Sequence, residues 1–461
     1  MVEKLLSDYT INQWIEEKPI LKSISQLENV FWLNPVKPDF ESAMNRIHLS
    51  AKDVREAEQR LERFAPFIKV AFPETEESNG LIESSLDDIS RIKKELELIY
   101  DTKIPGKLLL KRDDTLPIAG TIKARGAIYE VLKHAEHLAL TEGLLDSIHE
   151  DYTLFASEAF KAFFNQYKLV VGTTGNLGIS VGVMGAKLGF KATVHMSHDA
   201  KNWKKELLAS RGVEVIEHPT NFTMAVERGR NQSNEDPRSY FVDDEHSLDL
   251  LLGYSVAARR LSKQLDTQNI IVDEEHPLFV YLPCGIGGSP GGITFGLKQL
   301  YGDHVHCFFA EPTHMPSMLL GLITQAYDGV SVIDFEINDK TIMDGLAVPR
   351  TSGFVARLLE NFFSGGFTIQ EEEANYWLAH MMDIEDIALE PAALAGLPGP
   401  TYLMTTRQGQ EYIKQNQLET FMENATHIVW ATGGSMVPES DRQVVYKAGK
   451  AIEPEVFIRK K

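Results

Sequence analysis

The segment GTIKARG, Gly120 to Gly126, sets Lys123 two residues after Thr121 and two before Arg125, where a strand-like run gives way to a helical one. With Thr121 as the N-cap, Lys123 falls in the first turn of the next helix. The positive end of the helix dipole and the nearby Arg125 both disfavour a second cation there. They predict a depressed lysine pKa, the condition for a nucleophilic or Schiff-base-forming amine. The plain alternative is a solvated surface lysine, the usual fate of this residue type.

Two glycine-rich loops accompany the lysine. CGIGGSPGG, Cys284 to Gly292, has five glycines in nine residues, after a strand and before the helical ITFGLKQLY. Such a backbone can turn its N–H groups toward one point at the positive end of the helix, a nest suited to a phosphate. No lysine follows as in a nucleotide-triphosphate loop, and the dinucleotide pattern fails at Pro290. GTTGNLG, Gly172 to Gly178, offers Thr173, Thr174 and Asn176 beside the free N–H groups of a helix starting near Leu177. That suits a carboxylate, with helix capping by Thr174 or Asn176 as the bland reading. WATGGS places Thr432 at the C-terminal end of a strand, where ligands of open α/β sheets bind. TIMDGLAV, Thr341 to Val348, reads as plain turn chemistry. Cys284 and Cys307 read as buried small hydrophobes, because spacing sets no base near either.

The elements that must position these residues alternate between short apolar strands and helices from about Lys107 onward. That grammar predicts a parallel sheet covered on both faces. KLLLKRD, KLVVG, KATVHM, VEVIEH, LFVYLP, VHCFFAEP and THIVWA are the strands. The first hundred residues read as helices, with DVREAEQRLERFAPFI and SLDDISRIKKELELIY apolar at helical spacing. The expected organisation is a helical N-terminal region and first part of a large domain over 1–122, a smaller α/β domain over 123–270, and the remainder of the large domain over 271–461.

The chain has 461 residues, long enough for two or three domains. Its 66 acidic and 46 basic residues give a formal charge of -20, which opposes nucleic acid and anionic lipid. The two cysteines exclude a disulfide framework and a structural zinc. The N-terminus carries acids through its apolar positions, so a cytoplasmic protein is expected. The uncharged run from Leu169 to Ala186 is interrupted by turn residues, which argues against a membrane span.

A Schiff-base lysine, a carboxylate loop and a phosphate nest on one α/β chain are what a pyridoxal phosphate enzyme acting on an amino acid requires. Through WLNP, KRDDTLPIAGTIKARG, VGTTGNLGISVG, CGIGGSPGG and WATGGSMVP, in that order, the sequence resembles the tryptophan-synthase-β-like, fold-type II pyridoxal phosphate enzymes. Within them it is most similar to the branch that dehydrates D-serine.

The resemblance implies two open, mostly parallel sheets flanked by helices, with a helical N-terminal extension. It implies that Lys123 carries the cofactor, that the amides of Gly285, Gly287, Gly288 and Ser289 hold its phosphate, that Asn176 bonds the ring hydroxyl and that Thr432 faces the pyridine nitrogen. Thr173, Thr174 and Gly175 would grip the substrate carboxylate. Ser289 interrupts what is often an unbroken glycine run, and Thr121 stands where serine is common; both keep the needed group. The implied reaction is β-elimination of D-serine to pyruvate and ammonia, with D-threonine to 2-oxobutanoate as a second activity, a monomeric state and K+ activation. A D-substrate turns its Cα hydrogen away from Lys123, so a second base is expected, Thr173 or an acid of FVDDEHS such as Asp244. The rival readings are an L-serine or L-threonine dehydratase and, from another class, a nicotinamide-binding oxidoreductase or a non-catalytic nucleotide-binding module using the same glycine loop.

Overall fold

The computed structural model describes residues 10–173, 175–198, 200–219 and 222–458. Its described residues group into two compact units. One draws on the spans Met1–Leu49, Ser85–Asp114 and Ala258–Lys461, the other on Ser50–Ser84 and Thr115–Ala257.

The strands are β1 (Phe31–Leu33), β2 (Leu86–Asp88), β3 (Lys107–Arg112), β4 (Lys168–Gly172), β5 (Lys191–Ser197), β6 (Glu214–His218), β7 (Ser239–Val242), β8 (Leu278–Pro283), β9 (Val305–Pro312), β10 (Gly365–Ile369) and β11 (Thr426–Ala431). The first unit holds a seven-stranded sheet in the order β1-β10-β9-β8-β11-β3-β2. Its five inner strands are parallel, and the edge strands β1 and β2 pair antiparallel with β10 and β3. Every residue of β8, β9, β10 and β11 is buried. Strands covered on both faces need continuous apolar runs, which is why LFVYLP and THIVWA do not alternate. The core here is aromatic, built around Phe31, Phe279, Tyr281, Phe308, Phe367 and Trp377.

The second unit holds a four-stranded, wholly parallel sheet in the order β6-β5-β4-β7. Helices Lys123–Thr141 and Asn176–Leu188 pack together beside it, and helix Ala51–Ala71 packs on the former. That last helix opens with a capping box in which the Ser50 N–H donates to Asp53 at 2.8 Å. Its Phe64 ring meets those of Tyr152 and Phe155, each at 4.8 Å. Arg60 pairs with buried Glu136 at 2.6 Å.

These contacts draw 50–84 and 115–122 into the unit that carries the smaller sheet, while 258–270 groups with the larger one. The grouping is therefore discontinuous in sequence, unlike the block 123–270. The segment SLDDISRIKKELELIY is only partly helical. Leu86–Asp88 is strand β2, and the helix runs from Ser90 to Ile99. Among the described residues no helix is long and apolar enough to cross a membrane.

Candidate active site

Lys123 is the first residue of helix Lys123–Thr141. The N-cap position falls on Ile122 rather than Thr121, although the Thr121 hydroxyl still receives the Lys123 N–H at 3.5 Å. The lysine side chain is largely buried, with 17% of its surface exposed. Its Nζ lies 3.4 Å from Asp244 Oδ2 and 5.8 Å from the centre of the Tyr254 ring.

These neighbours overturn the expected depressed pKa. Burial opposes the charge, but Asp244 outweighs burial and holds the amine above its ordinary value. Arg125 does not add the expected repulsion, because its guanidinium makes bonds of 2.5 and 3.1 Å to the Glu83 carboxylate. Lys123 is thus a buried cation with a dedicated counter-ion.

The segment around Asp244 sorts its acids by direction. Asp243 and Glu245 both pair with Arg230, at 3.0 and 2.8 Å, while Asp244 between them turns to Lys123. Ties to the lysine helix hold this segment on both sides of Asp244. Tyr240 and Ser247 donate to the Glu130 carboxylate at 2.9 and 2.6 Å, and Lys133 pairs with Asp249 at 2.5 Å. Glu130 lies two helical turns beyond Lys123, on the same face. Burial pushes its carboxyl up to about 8 in spite of the two donors.

In the second loop, strand β4 ends at Gly172 and the helix begins at Asn176. Gly175, which has no side chain to cap with, takes the N-cap position at φ +147°, so Asn176 is the helix's first residue and not its cap. Buried Thr173 accepts the Gly175 N–H on its hydroxyl at 3.0 Å and donates its own N–H to the His195 carbonyl at 2.9 Å. Thr174 lies outside the described residues. Gly175 cannot be replaced in place, since a Cβ there would stand 2.3 Å from Lys204 Cδ. Lys204 is itself only 1% exposed, an unusual state for a lysine.

In the first unit, strand β8 runs into the CGIGGSPGG loop, where the Cys284 N–H bonds the Ala310 carbonyl at 2.8 Å. Gly287 sits at φ +109°, and the helix Gly288–Tyr301 starts directly after it. The first amide to close on this helix is Gly291, to the Gly287 carbonyl at 2.9 Å, which leaves Gly288 and Ser289 at its open N-terminus. The loop is backed by its neighbours: the Ser352 N–H holds the Ile286 carbonyl at 3.1 Å, and a Cβ at Gly285 would stand 3.2 Å from the Gly345 carbonyl oxygen. TIMDGLAV is therefore a wall of the glycine loop rather than a remote turn. Thr432 is 8% exposed, immediately after β11. Cys284 and Cys307 are buried free thiols, as their spacing suggested.

The residues present fit pyridoxal phosphate on two grounds. The glycine loop leaves the Gly288 and Ser289 amides open at the N-terminus of a helix, the setting that suits a phosphate. Beside Lys123, two buried polar atoms, Asp244 Oδ1 and the Tyr254 hydroxyl, have no hydrogen-bond partner. Buried polar groups are rarely left so unless a ligand or an ordered water completes them. Sequence reasoning missed Tyr254, Glu130 and Lys204, because no local motif marks a side chain whose partner is far along the chain.

The family model for pyridoxal-phosphate dependent enzymes matches residues 96–413, and the chain belongs to that family. Within it, the chain is 57% identical to a probable D-serine dehydratase of Geobacillus stearothermophilus over 449 residues, 97% of this chain and 98% of that one. A probable D-serine dehydratase of Halalkalibacterium halodurans is 53% identical over 96% of this chain and 99% of its own. Among solved structures, Escherichia coli diaminopropionate ammonia lyase in complex with D-serine superposes with a TM-score of 0.68 at 17% identity, covering 92% of this chain and 98% of that one. A fungal L-serine ammonia-lyase from Rhizomucor miehei gives 0.58 at 18% identity, over 79% of this chain and 98% of the other. These neighbours share the two-sheet fold.

Proposed function

We propose that this chain is a pyridoxal phosphate lyase that eliminates water from D-serine, the product then hydrolysing to pyruvate and ammonia. The observation that carries the reading is the buried lysine at the opening of its helix, with Asp244 3.4 Å from its amine and an unpartnered oxygen on the same carboxylate. The near-full-length likeness to probable D-serine dehydratases supports the substrate and its hand.

On this reading Lys123 would carry the cofactor, the amides of Gly285, Gly287, Gly288 and Ser289 would hold its phosphate, Asn176 would bond its ring hydroxyl and Thr432 would serve its ring nitrogen. When bound, the cofactor supplies an electron sink for the carbanion left at Cα. A threonine hydroxyl at position 432, unlike a carboxylate, does not keep the ring nitrogen protonated, which favours prompt loss of the β-hydroxyl over racemisation.

The loop Thr173 to Gly175 holds the substrate carboxylate on backbone and hydroxyl donors. The Cα proton passes to Thr173 or Asp244, and the β-hydroxyl takes up a proton in exchange and leaves as water, so that the base is restored. Freed enamine tautomerises and hydrolyses to pyruvate and ammonia. The 3.4 Å contact with the Lys123 amine favours Asp244 as the partner that exchanges protons with that amine. Thr173, with its oxygen accepting from Gly175, stays able to donate its own proton. D-Threonine, one methyl larger, is a second substrate giving 2-oxobutanoate, and K+ an activator on the same reading.

The test is borohydride reduction of the purified, cofactor-loaded protein followed by peptide mapping. The expected outcome is a visible absorption band that disappears on reduction, with the reduced adduct on Lys123. A colourless protein that pyridoxal phosphate does not activate would sink the reading.

A further inference from the structure

Tyr254 lies in helix Leu248–Thr267, far along the chain from Lys123. Its side chain is fully buried, and its hydroxyl has no hydrogen-bond partner. The Lys123 amine stands 5.8 Å from the centre of its ring, close enough for each group to alter the other's ionisation. Asp244 Oδ1, on the carboxylate that contacts the same amine, also lacks a partner.

Two glycines create this placement. A Cβ at Gly126, one turn after Lys123, would stand 2.6 Å from Tyr254 ring carbons. A Cβ at Gly253 would stand 2.8 Å from the Arg125 carbonyl oxygen and 2.9 Å from Gly126 Cα. Glycine is disfavoured in helix interiors, so two facing glycines mark a close approach that serves a purpose. Here the two helices meet backbone to backbone, and the Tyr254 ring lies over the turn that presents Lys123.

Leaving a buried hydroxyl unpaired is unfavourable, and the reactive group beside this one is the lysine amine. We propose that Tyr254 is a positioning residue for Lys123: its hydroxyl donates a hydrogen bond to the amine in the neutral form that it takes during turnover, while Asp244, the counter-ion of the resting cation, accepts one from it. This rests on reading Lys123 as the cofactor-bearing group. The phenol is suited to the task because burial holds its pKa above the ordinary value, so it keeps its proton through the neutral range. One donor and one acceptor then fix the amine's orientation each time D-serine displaces it and each time it returns.

Tyr254→Phe removes the hydroxyl and keeps the ring that packs on Gly126. The holoenzyme variant should bind cofactor, give the borohydride adduct on Lys123 and melt within a few degrees of the parent. Its kcat should fall about tenfold, the weight of one hydrogen bond, while KM for D-serine changes by no more than about twofold. Unchanged kcat with the adduct intact would overturn the proposal. A fall in kcat that comes with a matching loss of thermal stability and of the adduct would identify a packing residue, and would overturn it too. If neither parent nor variant forms the adduct, the assignment of Lys123 fails instead. Gly126→Ala serves as the packing control: it should lower the melting temperature, which Tyr254→Phe should not.

Discussion

Lys123 shows how far an argument from neighbours in sequence carries. Its position at the opening of a helix was readable in GTIKARG, as was the type of chemistry a lysine does there. Its electrostatic state was not. Arg125 is neutralised by Glu83, and Asp244, from a distant segment, reverses the sign of the shift. The neighbours of Asp244 are spoken for by Arg230, which leaves one acid of FVDDEHS for the reaction. Substituting the two base candidates separates their roles. With Thr173 as the base, Thr173→Val should slow proton removal and cut kcat by about a hundredfold or more while D-serine still binds; with Asp244 as the base, that loss falls to Asp244→Asn instead. Asp244→Asn should change KM and the return of the lysine as well. Hydrogen–deuterium exchange at Cα of D-serine, followed by NMR, reads the first step directly; full exchange by the Thr173→Val variant would remove it as the base.

The glycine loop is an element whose sequence pattern and structure agree. A strand, a left-handed Gly287 and a helix opening at Gly288 follow one another as the five glycines suggested. Gly287→Ala should destabilise the chain by about 1–3 kcal/mol, because φ +109° strains any side chain and its Cβ would crowd Met318. It should also weaken cofactor binding by at least tenfold, read by titrating the visible band. Unchanged affinity would mean that the loop does not hold the phosphate. Other elements were hidden from the sequence. Strands β1 and β2 are three residues each, too short for a period to register, and they exist because the buried neighbours β10 and β3 offer them a ladder. The helical pattern of SLDDISRIKKELELIY therefore gave way at its first residues to strand pairing.

Across the whole molecule, the two parallel sheets were readable from the alternation of apolar strands and helices, while the discontinuous grouping of 50–84 with the smaller sheet was not. That grouping depends on aromatic packing of Phe64 and the Arg60–Glu136 pair, which join residues widely separated in sequence. The same burial of charge sets the global response to pH. Glu130 and Glu311 are pushed up to about 8 and Glu373 to about 7, each chiefly by burial, from an ordinary value of 4.5. At these three carboxyls the folded chain keeps protons that the unfolded chain gives up above 4.5, so the stability they contribute falls as pH rises toward their folded values, opposed below 6.5 by His134, His306 and His427, whose values burial lowers. Thermal melts of the cofactor-free protein should show a lower melting temperature near pH 9 than near pH 6, with a smaller drop for Glu130→Gln. An equal drop in the variant would show that Glu130 is ionised without cost.

The central claim is that this protein eliminates water from the D-enantiomer of serine. A single preparation loaded with pyridoxal phosphate, assayed for 2-oxo acid formation with D-serine, D-threonine and L-serine, tests it most directly. The account predicts rapid pyruvate release from D-serine, slower 2-oxobutanoate release from D-threonine and little product from L-serine. Turnover of L-serine equal to or faster than that of D-serine would contradict it.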